Sequence, residues 1–340
     1  MEPTEHPMIP NRIATMNEPS LSSTRRDWLV HAMKATAIGA THAMLTGCIP
    51  GRKSETPYQV DAIIGQRGMA DGRFQKPRAI AIDDSNRAFV VDKTGRIQVF
   101  DEEGTFVRGW RTPEIEQGKP TGLSIDLDGT LIVADTHYFR FLFYTAEGNL
   151  LDERTIGGVN GSGPGKFAFV TDAVRLPSGE FVLGEYGEFD RIHKYSPNGE
   201  YIASLGEHGR EPLQFSRPQS LAVDTEGWLW VADACNHRVQ VIDWTGDKPR
   251  CLRMFGEEGD EPGQFKYPYS LALFGDGLLV SEYGNHRVQR LDRNGKSVAT
   301  WGQAGSKPGE LNQPWAIAVD TKERIYVVDS GNNRIQRFYL

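Results

Sequence analysis

Residues 281–296 read SEYGNHRVQRLDRNGK, and nearly the same phrase recurs as ADACNHRVQVIDWTG at 232–246 and VDSGNNRIQRFYL at 328–340. Each copy carries an acid, a short turn, an arginine and then apolar residues at alternate positions. Aligned on the arginine, the pattern extends to RIQVF, RFLFY, RIHKY, RVQVI, RVQRL and RIQRF, led by Arg96, Arg140, Arg191, Arg238, Arg287 and Arg334. These arginines stand 44, 51, 47, 49 and 47 residues apart. A period of that length marks a repeat architecture, and it takes precedence over any local reading.

Each unit contains four strand candidates. The first is a small-large alternation such as AIAI (79–82) or SLAV (220–223). The second is apolar and ends in an acid, from AFVVD to IYVVD; the arginine pentad is the third; a PNG or RNG turn leads to a fourth such as YIASLG. The NG and EG pairs supply the positive-φ residues of tight hairpins. A lone four-stranded sheet cannot cover both of its faces, so the units must stack, and the sequence predicts an all-β, six-bladed β-propeller. The last unit stops after its third strand. Its missing fourth strand is at the other end, because VDAIIGQRGMADGRFQKP (60–77) matches SVATWGQAGSKPGELNQP (297–314). Residues 59–65 are therefore predicted to complete blade six, which removes the open edges of the ring.

Composition agrees. Hydrophobic content of 39% in 340 residues supports a sizeable core, and 37 glycines with 19 prolines suit short strands and tight turns. A formal charge of −7 argues against nucleic acid as a partner. Three cysteines without a CxxC indicate neither a disulfide framework nor a cysteine-based zinc site. Cys235 and Cys251 fall at the start of the third strand and the start of the fourth in one unit, a strand's length apart, and are expected to be free thiols.

The pentad region resembles the NHL-repeat family, most closely at Asn236-His237-Arg238-Val239 and Asn285-His286-Arg287-Val288. The resemblance covers residues 58–340 and implies the propeller fold; it says little of function, since the family spans scaffolds, RNA binders and lyases. Upstream, TRRDWLV (24–30) resembles a bacterial twin-arginine export signal, with Arg25 and Arg26 as its pair. The weakly apolar run after it ends in Leu45-Thr46-Gly47-Cys48, which resembles a lipobox. That resemblance implies a signal peptide at 1–47, lipidation of Cys48, a short linker at 48–57 and a propeller at 58–340. It places the mature chain on the periplasmic side of the cell envelope, touching membrane through its lipid anchor only. Met16 is an alternative start.

The acid closing strand two and the arginine opening strand three lie four to six residues apart in every unit: Asp92/Arg96, Asp135/Arg140, Glu185/Arg191, Asp233/Arg238, Glu282/Arg287 and Asp329/Arg334. A pair that occurs six times is structural, and the expectation is a charge-assisted bond across one turn. Function must then lie where the repeat is broken. The residue after the strand-one proline (Val170 replaces the proline in unit three) is Arg78, Thr121, Thr171, Gln219, Tyr269 or Trp315, and these six are expected to ring the mouth of the central channel. They could grip a polar or aromatic ligand group, or simply plug the channel. Units three and five carry Glu-Tyr-Gly in place of an Asp turn. Glu185 and Glu282, with Asp172 and the adjoining Tyr186 and Tyr283, could approach a cation or sugar-like ligand, or serve as longer arms for the same arginine bond.

His137, His237 and His286 occupy turns of different units and are expected to be spread around the rim, so no metal site is assigned to them. Peptidyl-hydroxyglycine amidating lyases, which resemble this repeat, hold zinc through channel histidines; the matching positions here lack histidine. Gluconolactonase-like propellers hold calcium through channel carboxylates, loosely echoed by Asp172, Glu185 and Glu282. Tripartite-motif proteins add Cys/His clusters that this chain lacks. The sequence therefore points to a non-enzymatic, monomeric binding scaffold for a protein, peptide or small ligand, with no catalytic residues and no cofactor. The alternative is a lactonase- or lyase-like enzyme with calcium or zinc in the channel.

Overall fold

The computed structural model describes residues 58–339, which form six four-stranded antiparallel sheets. In blade one the strands are Pro77–Ile82, Ala88–Asp92, Arg96–Phe100 and Phe106–Arg111, paired in chain order, and the later blades repeat this plan. The ring closes as the repeat requires: Gln59–Ile64 pairs antiparallel with Arg334–Tyr339 and supplies the outer strand of blade six. The export and lipidation residues Arg25, Arg26 and Cys48 lie outside the described residues.

Strand two of each blade is a buried, nearly continuous apolar run whose successive side chains point to opposite faces, so both faces of a blade carry them and the core divides into six wedges between neighbouring blades. The closing wedge joins Ile64, Phe74, Ile80 and Val90 to Tyr326 and Val328. Connectors between blades contribute too. Phe215 and Phe265 of two connectors are fully buried, each against a glycine that ends the preceding strand (Gly206, Gly256) with positive φ. A Cβ on either glycine would occupy the place of the phenyl ring, which explains the residue choice.

The acid–arginine pairs form in all six blades. The distances are 2.7 Å for Arg96–Asp92, 2.9 Å for Arg140–Asp135, 2.7 Å for Arg238–Asp233, 2.6 Å for Arg287–Glu282 and 2.7 Å for Arg334–Asp329, with Arg191 bonded to Glu185 likewise. They do more than fix a turn. In blades one, four, five and six the arginine also donates to carbonyls of the connector that enters its own blade, as Arg238 does to Glu211 and Gln214 at 3.1 and 2.9 Å and Arg334 to Lys307 and Glu310 at 2.8 and 3.0 Å. The carboxylates take backbone N–H groups from the same connectors, Ser216 to Asp233 at 2.7 Å and Asn312 to Asp329 at 2.7 Å. The pentad glutamine completes the clamp: Gln98, Gln240, Gln289 and Gln336 donate to Arg73, Gln214, Gln264 and Glu310 carbonyls at 2.9, 2.7, 2.8 and 2.6 Å. In these four blades the clamp thus satisfies a buried charge and the polar backbone of an irregular loop together.

Blade two departs from the plan. Leu142 replaces the glutamine, the connector contributes no N–H to Asp135, and one Asp135 oxygen is buried without a partner. Burial, opposed by Arg140, pushes its carboxyl up to about 6.

The clamps are predicted to dominate stability. Asp233 has four donors on its carboxylate: Arg238, Ser216, Asn236 and Gln240. Asp233→Ala should destabilise the fold by about 3–5 kcal/mol, since it strands a buried arginine. Arg250→Ala, which removes an exposed pair with Asp243, should cost less than about 1 kcal/mol. Urea unfolding of the two variants distinguishes them.

Candidate functional site

Strand one is an edge strand of every blade and the six inner strands lie side by side around the axis. Its first residue, usually the proline, pairs with the clamp acid, and the ladder then skips. The register shifts between Pro77 and Ala79, Pro218 and Ser220, and Pro268 and Ser270, with wider slips at Val170–Ala173 and Pro314–Ile317. Bulges of this kind release a residue from the ladder and re-aim its side chain. The released residues are the post-proline ones.

Those residues converge. Arg78, Thr121, Thr171, Gln219, Tyr269 and Trp315 line one axial cavity of about 110 Å³, with Asp172, Ser220 and Ser270 deeper in it. They are not equivalent, however. Thr171 donates to the Pro218 carbonyl at 2.8 Å, and Thr121 bonds Thr136 at 2.6 Å. Gln219 is buried and accepts from the Arg217 Nε at 2.7 Å. The chemistry of the mouth falls to Arg78, Tyr269 and Trp315, joined by three residues from outside the ring: Arg217, Tyr186 and Tyr283.

The mouth is an aromatic cluster holding two guanidiniums. Arg78 stacks on Trp315 at 4.7 Å, and Arg217 lies between Tyr186 and Tyr269 at 4.5 and 4.9 Å. Tyr269 stacks on Tyr283 at 4.8 Å, and Trp315 meets both edge-on at 5.1 and 5.6 Å. Burial pushes the Tyr269 hydroxyl up to about 12.

Glu185 and Glu282 correct the expectation of channel carboxylates. Both are fully buried inside their clamps, held by Arg191 and His193 and by Arg287, Asn285 and Gln289, and neither lines the cavity. Strand alternation explains it: Glu185 and Tyr186 are successive residues and point to opposite sides, so the tyrosine reaches the mouth and the acid does not. Asp172 is the carboxylate that remains. It accepts from the Leu221 and Ala173 amides, both at 2.9 Å, and burial pushes its carboxyl up to about 7.

Two of the turn histidines act as inter-blade latches, whereas His137 Nδ1 accepts the Lys119 amide of its own blade at 3.3 Å. His237 Nδ1 accepts the Tyr267 amide at 3.2 Å and His286 Nδ1 the Gln313 amide at 3.0 Å, each from the next blade. Asp190 and Asn333 take the same part towards Arg217 and Lys76, at 2.9 Å each. Burial holds His237 below its ordinary value, in keeping with an accepting ring nitrogen. Among the described residues no three His, Cys, Asp or Glu side chains converge as a metal site. Cys235 and Cys251 are free thiols.

One constellation escaped the spacing argument. His193 bridges Glu185 and Ser204 at 2.8 Å on each side, an acid–histidine–serine chain. Arg191 donates to the same Glu185 oxygen, and His193 fills the slot that glutamine holds in other blades.

Fold and site together define a six-bladed propeller with an axial cavity. The chain contains NHL repeats, matched at residues 215–242 and 311–338. NHL repeat-containing protein 3 of Mus musculus is 29% identical over 191 residues, 51% of this chain and 54% of the mouse protein. The chain thus spans about half the length of the curated relatives it matches. Peptidylglycine alpha-amidating monooxygenase of Rattus norvegicus is 27% identical over 174 residues, 47% of this chain and 17% of the rat protein. Among solved structures, a streptogramin B lyase aligns with a TM-score of 0.58 at 13% identity, covering 83% of this chain and 98% of the lyase. An auxiliary nutrient binding protein from Bacteroides thetaiotaomicron aligns at 0.59 and 14% identity, covering 78% and 69%. These structural likenesses establish the fold.

Asp172 offers a direct check on the cavity. Its folded value near 7 lies above the ordinary 3.8, so ionising it costs the folded state stability as pH rises between about 4 and 7. Asp172→Asn keeps an acceptor for the Leu221 amide and removes that cost. The variant should match the parent near pH 4 and exceed it by about 2–4 kcal/mol at pH 8, read from urea unfolding at each pH.

Proposed function

We propose that the chain is an exported, lipid-anchored propeller that binds a ligand at its channel mouth. One observation carries the reading: the six positions that break the repeat lie around a single axial cavity, while the repeated charges are consumed by the clamps. The Arg25-Arg26 pair and the Leu45–Cys48 lipobox support export and anchoring. The neighbour described as an auxiliary nutrient binding protein has a similar fold, which favours a binding use here.

An enzyme with its site in the same cavity is the second reading, favoured by Asp172. A half-buried carboxyl titrating near 7 in a cavity is a common feature of acid–base sites. The donor set does not suit the calcium or zinc of related propellers, since the cavity offers Asp172 as its carboxylate and no histidine.

The experiment is expression of the full chain in a bacterial host with acyl-lipid labelling and envelope crosslinking. Label should appear on the parent and vanish in Cys48→Ser, and replacing both Arg25 and Arg26 with lysine should leave the chain unprocessed. Crosslinks to the ligand should be lost in Trp315→Ala and kept in Arg250→Ala. Labelling that persists without Cys48 overturns the anchor, and crosslinks indifferent to Trp315 overturn the mouth as the site.

A further inference from the structure

The reading of the mouth as the binding site leaves open what binds, and the two guanidiniums narrow it. Arg78 is largely buried beside Arg217, and burial together with that like charge holds its guanidinium below its ordinary value. Among the described residues neither is ion-paired. Arg217 gives its Nε to Gln219, and Arg78 makes its contact through the face of Trp315. Every clamp arginine, by contrast, has a carboxylate within 2.9 Å. Desolvated like charges side by side are unfavourable without a counter-charge. Aromatic stacking offsets part of that cost, and because it uses the planar faces it leaves the N–H edges of the guanidiniums to donate.

The cavity sets the size. Its volume of about 110 Å³ holds a few waters, at roughly 30 Å³ each, and falls short of the roughly 300 Å³ or more of drug-sized sites. It admits a head group, with the rest of the ligand at the mouth against Tyr269 and Trp315. Asp172 lines the same cavity and opposes a second negative charge there.

We propose that the mouth binds a small organic monocarboxylate, whose carboxylate accepts from the N–H edges of Arg78 and Arg217 while its apolar body lies against the tyrosine–tryptophan cluster. The proposal rests on the mouth being the ligand site, and the test separates the two.

The full chain is titrated with sodium benzoate, benzamide and inorganic phosphate while tryptophan emission is followed, with Trp315→Phe as the blank. Benzoate should give a saturable change that the blank lacks. Its affinity should fall about ten- to hundred-fold in Arg78→Gln and in Arg217→Gln, the loss expected for a charge-assisted bond. Melting curves confirm that both variants are folded. Benzamide should not compete, and phosphate should bind more weakly than benzoate. Benzamide binding as well as benzoate overturns the anion inference and leaves the mouth as the site. Phosphate binding more tightly than benzoate overturns the choice of a monocarboxylate. No response to benzoate overturns the inference as well; envelope crosslinks that still depend on Trp315 would then show that the mouth remains the site, and crosslinks that do not would remove both.

Discussion

A buried carboxylate that ends strand two, bonded to the arginine that opens strand three, is the interaction on which this propeller depends. Taken alone, such a pair is a poor source of stability, because desolvating two charges offsets their attraction. What changes the balance is the connector. Its N–H and carbonyl groups have no ladder to join, and the clamp provides partners for them while they provide partners for the clamp, as at Asp233, Ser216, Arg238 and Gln214. Charge burial and loop ordering become one event, repeated around the ring.

That economy decides where specificity can reside. A residue fixed by six-fold repetition cannot also recognise a ligand in one direction, so recognition falls to the positions the clamp leaves free. One residue at the post-proline position of each blade lines the axial cavity, released from the ladder by a bulge in blades one, three, four, five and six. Three of these are then consumed internally, which makes the mouth lopsided: cations and aromatic rings come from blades one, three, four, five and six, and threonines from blades two and three. The chain as a whole is acidic, yet its mouth presents two arginines. Such a local reversal of charge reads as a site for an anion.

The fold was legible because repetition exposes it. The glycine turns, the acid and the arginine recur at one spacing, and the match of 60–77 to 297–314 revealed the closing strand. The acid–arginine pairs were legible for the same reason, though their grip on the connector was not, since it joins residues 16 to 28 positions apart. At the mouth, the six post-proline residues could be placed by position. Arg217 could not: it precedes a proline, where extended backbone is the expectation, whereas its φ is 60°. For Glu185 and Glu282 the sequence left open a ligand role or a longer arm for the arginine bond; they take the second, and the tyrosines beside them reach the mouth. Asp172 was read as a companion of Glu185, and the bulge at Val170–Ala173 set it facing the cavity instead.

The account turns on the connectors being held by the clamps, and hydrogen exchange of their amides tests that most directly. The amides of Gln75, Ser216, Lys266 and Asn312 each donate to a clamp carboxylate, at 3.0, 2.7, 3.1 and 2.7 Å. They should exchange as slowly as the central strands and open only with global unfolding, while residues 113–119 of blade two, which give no N–H to Asp135, should exchange early. Connector amides exchanging at the rate of exposed loops in every blade would contradict the account.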